Sequence, residues 1–175
     1  MRKSNKQKLI ESFKSIIGKT CFEVYFSLSS IIIIQIGDKV NNESSNASSE
    51  TWISCEIDLK VVEFWRILNN DEFYCDNQYS LHDDSYELLH QKIKILEGKK
   101  IIAVFIDEDS FNFKINFEDN IVFEEYSDVG NEYYYRKKYS KDIDIFTFTN
   151  MDTIYEVSPY GKVTTEKIKK IKIII

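Results

Sequence analysis

A chain of 175 residues with 43% apolar and 30% charged side chains can bury a core of its own, and its single proline and five glycines exclude collagen-like, low-complexity and linker-rich designs. The net charge of −6 is unevenly spread: residues 1–8 and 162–175 carry +4 each, which leaves −14 on residues 9–161. An acidic body repels phosphate backbones, so nucleic-acid binding is not expected, and it attracts basic proteins.

In chain order, Leu9, Phe13, Ile16 and Ile17 form one helical stripe, and Gly18 stands where a left-handed residue would end the helix. Phe22, Val24, Phe26 and Leu28 alternate with Glu23, Tyr25 and Ser27, which predicts a strand with the first set facing one way. Ser29-Ser30 is short enough for a hairpin turn, the run Ile31–Ile34 continues the sheet, and residues 41–50 read as a polar loop. Strands follow near 51–57, 61–68 and 72–75. A second helix carries Tyr86, Leu89, Ile93 and Leu96 and stops at Gly98. Beyond it, Phe111, Phe113, Ile115 and Phe117 alternate with Asn112, Lys114 and Asn116 after a turn at Glu108–Ser110. Further strands fall near 120–126, 132–138, 142–149 and 152–157, and in 163–175 Lys-Ile alternation suits an edge strand while Ile168, Ile171 and Ile175 also fit a helix.

The order of elements repeats. A shift of 80 superposes Leu9 on Leu89, Ile16 on Leu96, Gly18-Lys19 on Gly98-Lys99 and Val24 on Val104. After one inserted residue, a shift of 81 pairs Asp38 with Asp119, Val40 with Ile121, Trp52 with Tyr133 and Lys60 with Lys141. It goes on to pair Trp65 with Phe146, Asn69 with Asn150 and Tyr74 with Tyr155. The expected fold is therefore α+β: two tandem helix-plus-antiparallel-meander repeats, residues 1–79 and 80–175, packed together as one domain. Where the second copy has Asn112 and Lys114, the first has Ile32 and Ile34, an apolar face that either packs on the other half or forms a homodimer contact.

Cys21, Cys55 and Cys75 lack metal-site spacing and sit among apolar residues, as small buried hydrophobes do. With only His82 and His90, no GxSxG, GxGxxG, P-loop or HExxH motif, and no base beside the serines of the polar loop, the chain reads as non-enzymatic and without a cofactor. Glu11, Ser12 and Lys14 break up the apolar residues after the basic start, and no run is long enough to span a bilayer. A cytoplasmic protein without membrane contact is expected.

Carboxylates and tyrosines are the groups left. Tyr133, Tyr134 and Tyr135 cannot all face a core, because successive side chains of a strand alternate, so at least one is expected on the surface beside Glu124, Glu125, Asp128 and Glu132. Exposed tyrosine among acids suits a protein-binding hot spot. Asp107, Glu108 and Asp109 form a second acidic group in a turn, where carboxylates also cap backbone amides. Asp142 and Asp144 share a strand face and could hold a divalent metal.

The stretch Leu96–Tyr126, a helix ending in Gly-Lys, a strand pair and then an acidic, aromatic strand, resembles the small immunity proteins of bacterial polymorphic and contact-dependent toxin systems. The resemblance implies a non-catalytic inhibitor that binds a cognate toxin, with the acidic body complementing a basic domain such as a nuclease. Two other readings stand beside it: a small-ligand carrier whose sheets wrap an aromatic-lined cavity, and a metal-dependent hydrolase using Asp142 and Asp144.

Overall fold

Two helices of similar design open the two halves of the chain. In α1 (Asn5–Lys14), Ser4 Oγ accepts from Gln7 N at 3.2 Å while Gln7 Oε1 accepts from Ser4 N at 3.0 Å, a capping box that satisfies two otherwise free amides. In α2 (Tyr86–Ile93), Ser85 Oγ accepts from Leu88 N at 3.1 Å, and a single 3₁₀ turn, Lys94–Leu96, follows. Each helix ends at a glycine with positive φ, +87° at Gly18 and +76° at Gly98, as their positions in the sequence predict. The structure is a computed structural model, and it describes residues 3–27, 31–39, 55–62, 64–77, 85–126, 146–150, 152–158 and 161–168.

Apart from a 3₁₀ turn at Glu118–Asn120, the remaining elements among the described residues are strands. They are β1 (Cys21–Ser27), β2 (Ile31–Lys39), β3 (Cys55–Val61), β4 (Trp65–Asn69), β5 (Glu72–Asp76), β6 (Ile101–Ile106), β7 (Phe113–Phe117), β8 (Ile121–Glu125), β9 (Phe146–Asn150), β10 (Thr153–Val157) and β11 (Val163–Lys167). They form two antiparallel sheets, in the orders β1-β2-β3-β9-β10-β11 and β5-β4-β8-β7-β6. The fold is thus α+β, mostly sheet, with two short helices. The expected meander is split in both halves. After β3 the chain passes to the other sheet, where β4 pairs with β8, and after β8 it passes back, where β9 pairs with β3. Each sheet therefore contains strands from both sides of residue 80.

The sheets meet at one corner through four backbone hydrogen bonds. Gly18 N donates to Ile101 O and Gly98 N to Cys21 O, at 2.8 and 2.9 Å, while Cys21 N donates to Lys99 O and Ile101 N to Lys19 O, at 2.9 and 2.8 Å. The bonds are reciprocal at a spacing of 80 residues. The β1 and β6 bulges, between Cys21 and Glu23 and between Ile101 and Ala103, keep the same spacing. The middle of each half does not follow the shift of 81. The strand that takes the place of β3 is β8, since Ile57 lies opposite Ile36 as Ile121 lies opposite Phe117. The Lys60–Lys141 pairing of the sequence reading involves Lys141, which lies outside the described residues.

Between the sheets the inner faces fill one core. Phe13 of α1 lies 4.9 Å from Phe113 in one sheet and 4.7 Å from Phe148 in the other, and Phe113 meets Phe146 edge-on at 5.2 Å. Phe26 and Trp65 make the same cross-sheet contact at 5.7 Å. These rings thus pack on one another across the space between the sheets. Ile32 and Ile34 are fully buried in this core, so they offer no dimer face. Phe111, Phe113, Ile115 and Phe117 point inward as predicted. Phe22 does not: the β1 bulge shifts the phase, so Cys21 and Val24 are buried and Phe22 is exposed under the Lys39 ammonium.

Each helix covers one edge strand of each sheet, α1 on β6 and β11, α2 on β1 and β5. The β1 edge is closed further by side chains. Glu97 accepts from Val24 N at 2.8 Å and Lys94 donates to Val24 O at 2.6 Å, which occupies groups that could template another strand. Because Phe13 touches both sheets, Phe13→Ala is expected to cost about 3–5 kcal/mol in urea unfolding, against a change within about 0.5 kcal/mol for exposed Lys14→Ala.

Candidate functional site

One register row crosses the five-stranded sheet on the face turned away from the core: Phe105, Lys114, Glu124, Arg66 and Asp76, one from each strand. Charges alternate along it, and Glu124 sits between two cations. Arg66 Nε donates to Glu124 Oε2 at 2.6 Å and Lys114 Nζ to Oε1 at 2.5 Å, so both carboxylate oxygens are committed although the residue is only 4% exposed. Burial alone would raise the Glu124 carboxyl. The hydrogen bonds and charges of Lys114 and Arg66 outweigh it and hold the group below its ordinary value. The Arg66 guanidinium also lies over the Tyr126 ring, 5.3 Å from its centre.

Glu125, the next residue, points to the other face. It is 2% exposed, in the inner row between Phe113 and Trp65. The sequence reading set both acids on one surface beside tyrosine; the structure buries them on opposite faces of β8. Asp128, Glu132, Tyr133, Tyr134, Tyr135, Asp142, Asp144 and His82 lie outside the described residues.

Asp107 folds back on its own turn. Its Oδ1 accepts from Asp109 N, Ser110 N and Ser110 Oγ at 2.7–2.9 Å, and these bonds lower its carboxyl. Glu108 and Asp109 are exposed, with Asp109 3.7 Å from Lys6 Nζ. Between this turn and the end of β8 lies a cleft of about 370 Å³, walled by Phe105, Phe113 and Tyr126, with Asp107, Ser110, Asn112, Glu124 and Glu125 among its polar lining. Three of the acids singled out from sequence, Asp107, Glu124 and Glu125, thus meet at one place.

The structure adds three apolar residues that the pattern did not single out. Phe105, Ile102 and Phe73 are 58, 55 and 50% exposed on the five-stranded sheet. The unbroken apolar run Ile101–Ile106 has no alternation from which their exposure could be read. The outer face of the six-stranded sheet differs: Ile33, Gln35, Asp58 and Thr149 are all buried there. Gln35 Nε2 donates to Asp58 Oδ1 at 3.0 Å, and burial still raises the Asp58 carboxyl. The three cysteines are buried and free. Burial, with Asp58 nearby, pushes the Cys55 thiol up to about 12, far from nucleophilic at neutral pH. His90 is half-buried against Phe26.

No group of His, Cys, Asp and Glu among the described residues is arranged to hold a metal, and no helix among them is long and apolar enough to cross a membrane. No family model, curated protein or solved structure matches the chain.

The two buried outer-face acids have opposite linkage to pH. Glu124 is held low when folded, so its contribution is present above the ordinary carboxylate range and is lost as pH falls through its lower folded value. Glu124→Gln should cost about 1–3 kcal/mol at pH 7, the partly exposed cations limiting the loss, and the difference from wild type should shrink in acid. Asp58 is held high, so ionising it weakens the fold as pH rises through its folded value. Asp58→Asn, which keeps an oxygen for Gln35, should leave stability at pH 7 unchanged or raised. Urea unfolding of both variants at pH 4 and pH 7 reads the two signs.

Proposed function

We propose that the chain is a non-enzymatic binding protein, an immunity-type inhibitor that holds a basic toxin domain by direct contact. The supporting observation is the open face of the five-stranded sheet. Phe73, Ile102 and Phe105 stand exposed on it, and the turns at its ends are acidic. Asp71, Glu72, Glu118 and Asp119 lie at one end, where Asn70 N donates to Asn120 O; Asp107, Glu108 and Asp109 lie at the other. An apolar centre with an acidic rim is what a basic partner with its own apolar anchor would complement, the rim acting mainly on association rate. The −14 on residues 9–161 acts in the same sense.

The reciprocal corner bonds, the two equivalent bulges and the matched helix ends support a related reading of the architecture: two copies of one helix-and-five-strand unit that exchange their last strands. In this reading the halves share a frame, and their differences mark what each has specialised to do.

Co-expression with each neighbouring gene product that arrests growth on its own tests the inhibitor reading. The expected result is restored growth and a 1:1 complex whose association slows steeply with salt. Phe73→Ala with Phe105→Ala should weaken that complex at least about tenfold without lowering the melting temperature. A complex insensitive to both salt and these substitutions would overturn the face as the docking surface, and failure of every neighbour to be neutralised would overturn the inhibitor reading.

A further inference from the structure

β1 and β6 are edge strands of matching build, and only one of them is closed. The spacing of 80 residues that relates the corner bonds also relates Val24 to Val104. Val24 turns its amide and carbonyl away from β2, where Glu97 accepts from the first and Lys94 donates to the second. Val104 turns the same groups away from β7. Asp107 N donates to Asn112 O, so in this register Phe105 and Ala103 bond β7 and Val104 faces outward. At the places of Lys94 and Glu97 stand Lys14 and Ile17, both exposed, and an isoleucine accepts no hydrogen bond. No side chain among the described residues bonds Val104, and this valine is half-buried where Val24 is fully buried. The fold thus carries a guard on one edge and lacks it on the other.

We infer that β6 is the seat of a homodimer, pairing antiparallel with β6 of a second copy about a two-fold axis at Val104. The sequence of this edge complements its own reverse. Lys99 and Lys100 precede the apolar run Ile101–Ile106, and Asp107, Glu108 and Asp109 follow it. Antiparallel pairing centred on Val104 sets the lysine end of each copy beside the acidic turn of the other, with Lys100 nearest Glu108. Both of these residues are exposed and make no ion pair among the described residues. Parallel pairing would set like charges together, and a uniformly basic strand would meet the lysines. The side chains match as well. Phe105, 58% exposed, falls opposite Ala103, the smallest residue of the strand, and Ile102 falls opposite Ile106. The two Val104 residues exchange both backbone bonds, which satisfies groups that the single chain leaves to water. Such a contact is isologous and closes on itself, so association stops at two copies and the five-stranded sheets join into one continuous sheet. The joined outer face stays open, so dimerisation goes beyond the binding reading above without resting on it.

Sedimentation equilibrium of the full chain, from micromolar to millimolar concentration, tests this. The expected result is a monomer–dimer equilibrium, with the Val104 amide gaining protection from hydrogen exchange as the dimer fills. Ile17→Glu gives β6 the guard that β1 carries. It should weaken the dimer at least about tenfold and leave the melting temperature of dilute protein unchanged. Lys100→Glu and Glu108→Lys should each weaken the dimer by a similar factor, and the two together should restore it, because the swap rebuilds the pair across the axis. A monomer at every concentration overturns the inference. A dimer that ignores Ile17→Glu, or in which the charge swap does not rescue the single changes, overturns β6 as its seat. If the dimer forms as expected but no growth-arresting neighbour is neutralised, this inference stands and the inhibitor reading falls.

Discussion

The inner faces of two antiparallel sheets meet through aromatic rings, and the rest of the molecule is arranged around that contact. Phe13 reaches from α1 to Phe113 in one sheet and Phe148 in the other, so the helix cannot leave without opening both. Each sheet draws strands from both halves of the chain, through the crossings after β3 and β8. The corner bonds between residues 18–21 and 98–101 then hold the sheets in one relation while the helices cover the edge strands.

The outer faces divide the labour differently. On the six-stranded sheet, Ile33, Gln35, Asp58 and Thr149 are buried, and a hydrogen-bonded amide and carboxyl replace water there. On the five-stranded sheet, the charged row ending in Asp76 neutralises itself around Glu124, and the exposed apolar residues lie beside it. A self-satisfied charge row adds rigidity but little net field.

The cleft lies at one end of the five-stranded sheet. Glu125 belongs to the inner face, Glu124 and Lys114 to the outer one, and Asp107 at the end bonds its own turn. Its carboxylates are paired, buried or engaged in a turn.

Local chemistry made much of the fold legible. Glycine stops and the Phe111–Phe117 alternation follow from short-range rules that neighbouring residues obey by themselves. The acidity of the body and the acids around Asp107 and Glu124 were also there to read. The sequence could not show which strand lies beside which. The exchange of β4-β5 and β9-β10 between sheets is a choice among long-range pairings, made by the shared core and invisible to periodicity. A one-residue bulge turned Phe22 outward, and the unbroken run of β6 hid the exposure of Phe105. Glu124 and Glu125, adjacent in sequence and alike in charge, were separated by nothing but the pleat of a strand. That separation gave one a pair of cations and the other a place in an apolar core, so the character of each acid was decided by its tertiary neighbours.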